Sequence, residues 1–326
     1  MLNSVTGGGG ACKKPYIFGL EVMNMDKRVI VVVVVALLLL SSLFLLSKRN
    51  HVSTVLVNLT SFNTSFSLLG ERGPTLSYPI AEVYSQHNTL LASTFLWNMA
   101  SSNGIVNMTF SHGIVKVTVD LTDFKKIQQN IPVDGYPGLM YGRECWFPFY
   151  GSTVTLPQLP LPEKLTSLPN FYSQVDFSVY QVKGIIDDFS YDVWLSQNPN
   201  VTVLHYPCIE VMVWMYHEEE ITSPYFVKEG SITVKGIING SLENVTFTVY
   251  VLPHTGSSNG WIGVYYVSDE ELEGNVSLPL SYMIVKAVYF ASKVFPSLSP
   301  QEYYLDAIQV GMEFNDQQGV AILGYE

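Results

Sequence analysis

Short runs of alternating apolar and polar residues, broken by Gly, Pro, Asn and Asp, recur along most of this chain. Ile114-Val115-Lys116-Val117-Thr118-Val119 is one of them. Val175 to Val182, Val201 to Leu204, Ile232 to Ile237, Val245 to Leu252 and Trp261 to Val267 are others. Strand side chains point alternately to opposite faces, so each such run can bury one face and leave the other to water. Many short runs separated by turn residues predict an all-β, two-sheet antiparallel sandwich. Helical spacing is good only from Leu280 to Phe295. There Tyr282, Val285, Val288 or Tyr289 and Ser292 recur before Pro296 ends the pattern. No internal repeat of fixed period is present.

Two apolar runs in the C-terminal half each hold one carboxylate. In Glu210-Val211-Met212-Val213-Trp214 the strand period puts Glu210, Met212, Trp214 and Tyr216 on one face. Ile209, Val211, Val213 and Met215 form the other, a plain core face. In Gly311-Met312-Glu313-Phe314-Asn315, Gly311, Glu313 and Asn315 share a face opposite Val310, Met312 and Phe314. A charged residue inside an apolar run is rarely fully buried unless paired, so a solvent-facing edge is the plain alternative for each acid. Two acids beside aromatic rings match the needs of glycoside hydrolysis. One carboxylate attacks or activates water, the other protonates the leaving oxygen, and rings supply platforms for sugar faces.

On these residues the sequence resembles glycoside hydrolase family 12. Glu210 to Trp214 matches the family's Glu-aliphatic-Met-aliphatic-Trp nucleophile motif, and Gly311 to Phe314 matches its acid/base segment. Tyr191-Asp192-Val193-Trp194 resembles the run whose Asp contacts the nucleophile, and Leu96-Trp97-Asn98 the early Trp that stacks on a sugar. Gly135-Tyr136-Pro137, Tyr141-Gly142 and Cys145-Trp146 fit a further segment. The likeness runs from about residue 70 to the end, and with the anchor described below it suggests an archaeal-type member. It implies an antiparallel β-jelly roll with an open cleft and one short helix, endo-acting on β-1,4-glucans, with xylan or xyloglucan also open as substrates. It implies Glu210 as nucleophile, Glu313 as acid/base and Asp192 tuning one of them. Trp97, Met212, Trp214, Trp146 and Tyr141 would bind the glucan. It implies no cofactor, retention of configuration, and a monomer. A carbohydrate-binding or structural surface glycoprotein is the rival reading, and the paired acids distinguish it, since a lectin needs only the aromatics.

The N-terminal part carries a different signal. Val29 to Leu46 is apolar apart from Ser41 and Ser42, long enough for a single membrane span. Lys27-Arg28 and Lys48-Arg49 flank it on both sides, so charge does not orient it. An uncleaved anchor is favoured over a cleaved signal. Sequons at Asn58, Asn63, Asn107, Asn200, Asn239, Asn244 and Asn275 all follow this run, which suits an outward-facing, glycosylated domain. Residues 1–28 read as a tail, with Met25 a plausible true start; 29–46 as the span; 47–69 as a polar linker; and 70–326 as the catalytic domain.

Composition excludes some classes. Hydrophobic residues make up 48% and charged ones 14%, which is not a disordered composition. A net charge of −11 argues against nucleic acid as partner. No Cys-x-x-Cys pair or His-Glu-x-x-His run supports zinc. Cys145 and Cys208 are open between a disulfide and two buried thiols. Glu218-Glu219-Glu220 reads as a solvated loop, the histidines as structural, and Trp261 as core or loop support.

Overall fold

The computed structural model describes residues 54–325, apart from 59–65, 71–79, 85–88, 112–113, 130, 146–148, 150–152, 156–158, 182–184, 219, 256–259 and 316–318. The apolar run 29–46 and the tail before it lie outside the described residues. No helix among the described residues is long and apolar enough to cross a membrane.

In chain order the strands are β1 (Thr54–Asn58), β2 (Phe66–Gly70), β3 (Ile80–Tyr84), β4 (Thr89–Ser93), β5 (Met99–Ser111) and β6 (Ile114–Lys126). Next come β7 (Val133–Gly135), β8 (Gly138–Arg143), β9 (Thr153–Val154), β10 (Glu163–Lys164), β11 (Ser173–Gln181), β12 (Ile185–Ser196) and β13 (Ile209–His217). Then follow β14 (Val227–Ile238), β15 (Ser241–Leu252), β16 (Ile262–Ser268) and β17 (Gly274–Leu278). The helix α1 (Leu280–Val294) precedes β18 (Tyr304–Asn315) and β19 (Gly319–Tyr325). Strand β1 and most of β2 fall inside the 47–69 stretch, which the sequence reading took as a polar linker merging into a first edge strand, so the sheet begins earlier than residue 70. Thr54-Val55-Leu56-Val57 has the alternation and β-branching of a strand despite the polar residues around it.

The strands form a jelly-roll-like curled sheet that folds over on itself. One layer runs β3-β4-β8-β18-β12-β13-β16-β15-β14, with β13 and β16 parallel. The second runs β2-β5-β6-β19-β11-β17. The far end of β14 pairs with β17 at Ile237 and Ile238 and joins the two layers.

Between the layers lies the main core. Ile209, Val211, Val213 and Met215 from β13 meet Val115, Val117 and Val119 from β6 and Val175 and Phe177 from β11. The Phe177 and Phe189 rings stack across the interface with centroids 4.4 Å apart. Burying each such side chain stabilises the fold by about 1.5–3 kcal/mol. The helix covers part of the same core with Met283, Ile284, Ala287, Val288 and Ala291, spaced on one side of its barrel. The Tyr266 hydroxyl on β16 donates to the Met283 carbonyl at 2.9 Å and fixes that docking.

Val201–Leu204, expected as a strand, is not one. It sits between Pro199 and Pro207, and Val201 buries itself beside Cys145 and Cys208. Pro cannot donate to a ladder and restricts the residue before it, so alternation alone does not make a strand here.

Candidate active site

The layer containing β13 turns its second face away from the core, and a cleft of about 680 Å³ lies on it. Strand period puts Glu210, Met212 and Trp214 on this face, and all three line the cleft. Glu313 from β18 and Trp97, just after β4, line it too. The cleft therefore gathers two candidate acids and three candidate sugar contacts from separate parts of the chain.

Glu210 is half-buried and held by two donors. The Trp261 indole N–H donates to its Oε2 at 3.0 Å, and the Tyr265 hydroxyl donates to the same oxygen at 3.1 Å. Burial pushes the Glu210 carboxyl up to about 7, while these two bonds pull it down. Trp261 is thus no core filler, as its sequence position suggested: it lines the cleft and touches the candidate nucleophile. Tyr265 reaches Glu210 because Gly263, opposite Glu210 in the β13–β16 pairing, leaves its space empty. A Cβ on Gly263 would meet the Tyr265 ring at 2.4 Å. The glycine is what lets the ring lie back across its own strand.

Glu313 has a different environment. Across the β12–β18 ladder its register partner is Asp188, which is fully buried. The pairing sets the two side chains next to each other on one face of the ladder, and each acts on the other's titration. Burial pushes Glu313 well above the usual carboxylate range, and the charges of Asp188, Asp187 and Glu210 add to the push. Asp188 is itself pushed up to about 7, mainly by burial. The strand is seated by Gly311, whose Cβ would meet the Pro137 carbonyl oxygen at 2.6 Å and the Gly138 Cα at 2.9 Å. That close crossing explains why a glycine stands two residues before the glutamate. It also lets the Tyr136 hydroxyl donate to the Ser190 carbonyl at 3.1 Å, tying the Gly-Tyr-Pro segment to β12.

Asp192 lies on the same face, opposite Met212 and Gln309 in register. Burial first, then the charges of Glu210, Glu144 and Asp188, push it well above its ordinary value. Its Oδ1 is buried without a hydrogen-bond partner. Asp192 and Glu210 act on each other through charge, and the acid paired in register with Glu313 is Asp188, to which the sequence reading gave no role.

Around the acids, Met212 packs with Tyr265 and Val267, and Trp214 stands edge-on to Tyr265 with centroids 6.0 Å apart. The Trp214 Nε1 has no hydrogen-bond partner, leaving a donor beside the cleft for a polar group. Asn98, next to Trp97, is a clamp. Its side-chain amide donates to the carbonyls of Gln128, Ile131 and Val133, and its Oδ1 accepts from the Gln128 N–H. Gln128, Ile131 and Val133 also line the cleft, so Asn98 fixes one wall.

Tyr141 does not reach the cleft. Its ring packs against the main core, and its hydroxyl donates to the Leu159 carbonyl at 2.5 Å. β8 turns Leu139 and Tyr141 to the core side, so the phenol that looked available for sugar is structural. Trp146 lies outside the described residues. Cys145 and Cys208 are free, buried thiols in one cluster with Trp194, and burial pushes both up. Among the described residues, no three His, Cys, Asp or Glu side chains are grouped so as to hold a metal ion.

Comparison with known proteins places the fold. The model of glycosyl hydrolase family 12 matches residues 88–323. Among solved structures, a native family 12 xyloglucanase from Bacillus licheniformis superposes with a TM-score of 0.56 at 13% identity, covering 79% of this chain and 96% of its own. A metagenome-derived family 12 endoglucanase gives 0.55 at 15% identity, covering 81% and 97%. At these identities the likeness establishes the fold. No curated protein matches the sequence significantly.

Proposed function

The chain belongs to glycosyl hydrolase family 12, and from that premise we propose that it cuts β-1,4-linked glucans internally, with retention of configuration. The observation that carries this reading is the pair of acids on one cleft face in opposite environments. Glu210 has two hydrogen-bond donors, which favour a carboxylate, and Glu313 faces a buried acid, which favours keeping its proton.

In the proposed mechanism Glu313 protonates the glycosidic oxygen as Glu210 attacks the anomeric carbon. Glu313 then takes a proton from the water that releases the sugar. Trp97 and Trp214 offer ring faces and Met212 an apolar floor for the chain of sugars. The residues do the chemistry with protons and a covalent ester, so no cofactor enters the scheme. The protein acts as a monomer in this scheme.

The test is incubation of the full-length chain with soluble β-glucan. A rapid fall in viscosity with few new reducing ends supports internal cutting. A surface lectin would bind the polymer and leave both unchanged. Xyloglucan and xylan belong in the same panel, since one structural neighbour is described as a xyloglucanase.

We further propose that residues 29–46 tether the catalytic domain to the outside of a membrane. The apolar run and the placement of every sequon after it support this, and Asn200, Asn239 and Asn244 are exposed. Protease added to intact cells removes the activity on this reading; activity that survives until lysis contradicts it.

A further inference from the structure

We propose that Asp188 is a positioning residue that shares one proton with Glu313, keeping Glu313 an acid for the first step and making it a stronger base for the second. This rests on the reading of Glu313 as acid/base.

The argument starts from the ladder. Asp188 and Glu313 are register partners on adjacent antiparallel strands, which brings their side chains together on the cleft face. Asp188 is completely buried, and the donor that acts on it besides Glu313 is the Ser190 hydroxyl. What lies against it is the Glu313 carboxyl, with the Ser190 hydroxyl also acting on it. Two ionised carboxyls side by side, with one hydroxyl and no cation acting on them, would be a buried double charge, which is among the most costly arrangements a protein can hold. One proton between them removes that cost and creates the hydrogen bond.

The neighbours do not offer a cheaper escape. On β12 the flanking acids are Asp187 and Asp192, and on β13 the facing acid is Glu210; all carry the wrong sign. His217, opposite Asp188 across β12–β13, uses its Nε2 on the Ser268 carbonyl at 2.9 Å. Glu218, after β13, accepts from the Ile186 N–H and the Tyr216 hydroxyl. Tyr265 donates to Glu210. Lys126 lies 3.5 Å from Asp134 on β7. The proton is thus the counterion of the Asp188–Glu313 pair.

The consequence for turnover balances. In the first step the shared proton, resident on Glu313, passes to the glycosidic oxygen as its bond to the anomeric carbon breaks and a Glu210 oxygen bonds to that carbon. Asp188 and Glu313 are then both ionised, and their repulsion raises the proton affinity of Glu313. In the second step Glu313 takes a proton from water as the water oxygen bonds to the anomeric carbon and Glu210 departs. The pair is again singly protonated.

The test uses the full-length chain carrying carbon-13-labelled Asp and Glu carboxyls, titrated by NMR. In Asp188→Asn the Glu313 carboxyl loses its proton at lower pH than in the wild type, because the neighbouring charge is gone. A Glu313 that titrates at the same pH in both overturns the proposal. Should Asp188→Asn fail to fold, the reciprocal variant reads the same coupling, since interacting sites shift each other. In Glu313→Ala, which removes the proton that Glu313 donates, Asp188 titrates at higher pH, and an unmoved Asp188 overturns the proposal. The titration reads the pair without turnover. A wild-type chain that cuts no glucan therefore sinks the functional reading, whereas an unshifted Glu313 sinks this one.

Discussion

On one face of β13, Ile209, Val211, Val213 and Met215 are wholly buried against the opposite layer of the sandwich. On the other, Glu210, Met212 and Trp214 line a cleft, the neighbouring strands add Asp187 and Glu313 to its lining, and Asp188 and Asp192 are buried beside them. The backbone is the same strand, and the difference is what each face is asked to do. The core face gains free energy from every side chain it buries. The cleft face gives some of it back, because carboxyls are held there with burial above their hydration and with few donors. The contrast teaches that stability and chemistry are divided between the two sides of one ladder, so substitutions on each side should fail in different assays.

The sharpest break is Glu210→Ala. Removing the proposed nucleophile lowers hydrolysis by on the order of 10⁴-fold or more. Thermal unfolding of the same variant stays at or above the wild-type midpoint, because a carboxyl that burial disfavours is gone. Added azide restores turnover by standing in for the missing carboxylate.

Phe189→Ala makes the reverse change one strand away. Phe189 is fully buried and stacked on Phe177, so its loss costs about 3–5 kcal/mol in denaturant unfolding. The folded fraction keeps its turnover number, since Phe189 faces away from the cleft.

Tyr265→Phe sharpens the comparison by touching the acid without removing it. One of the two donors to Glu210 disappears, so the carboxylate is less favoured and its pKa rises above the wild-type value of about 7. The acid limb of kcat/KM moves to higher pH, with a loss equivalent to about 1.5–3 kcal/mol at pH below that limb.

Asp306→Asn should give the smallest effect, and it appears in stability. Asp306 is fully buried, and burial pushes it from 3.8 up to about 7 against the opposing pull of Ser196 and Arg143. A carboxyl with a raised folded pKa contributes its stability below the unfolded value and loses it as pH climbs through the folded one. The variant mimics the protonated form at every pH. It therefore matches the wild type near pH 4 and exceeds it above pH 7 by about 1–3 kcal/mol, as read by unfolding at both pH values.

What the sequence made legible follows from how local each signal is. The two faces of β13 need only the strand period and five residues in a row, and so the place of Glu210 could be read directly. Glu313 was readable for the same reason, and Leu280 to Phe295 announced the helix by its spacing, which the structure ends at Val294. Trp261 and Asp188 were not readable. Their roles come from which strand lies beside which: the parallel β13–β16 pairing brings Trp261 and Tyr265 to Glu210, and the β12–β18 ladder brings Asp188 to Glu313. No local pattern encodes that adjacency. Tyr141 failed in the same way, because alternation says that neighbours face opposite sides without saying which side is the cleft. The spacing of Gly263 and Tyr265 does carry a trace, since a glycine two residues before a tyrosine on one strand face gives the ring room to fold back.

The central claim is that Glu210 attacks the anomeric carbon while Glu313 first gives a proton to the leaving oxygen and then takes one from the incoming water. Proton NMR of a soluble β-1,4-glucan during the first minutes of digestion tests it most directly. The account predicts that the new reducing ends form as the β-anomer and only later mutarotate. New ends that form first as the α-anomer mean single displacement by water, and Glu210 would then be no nucleophile.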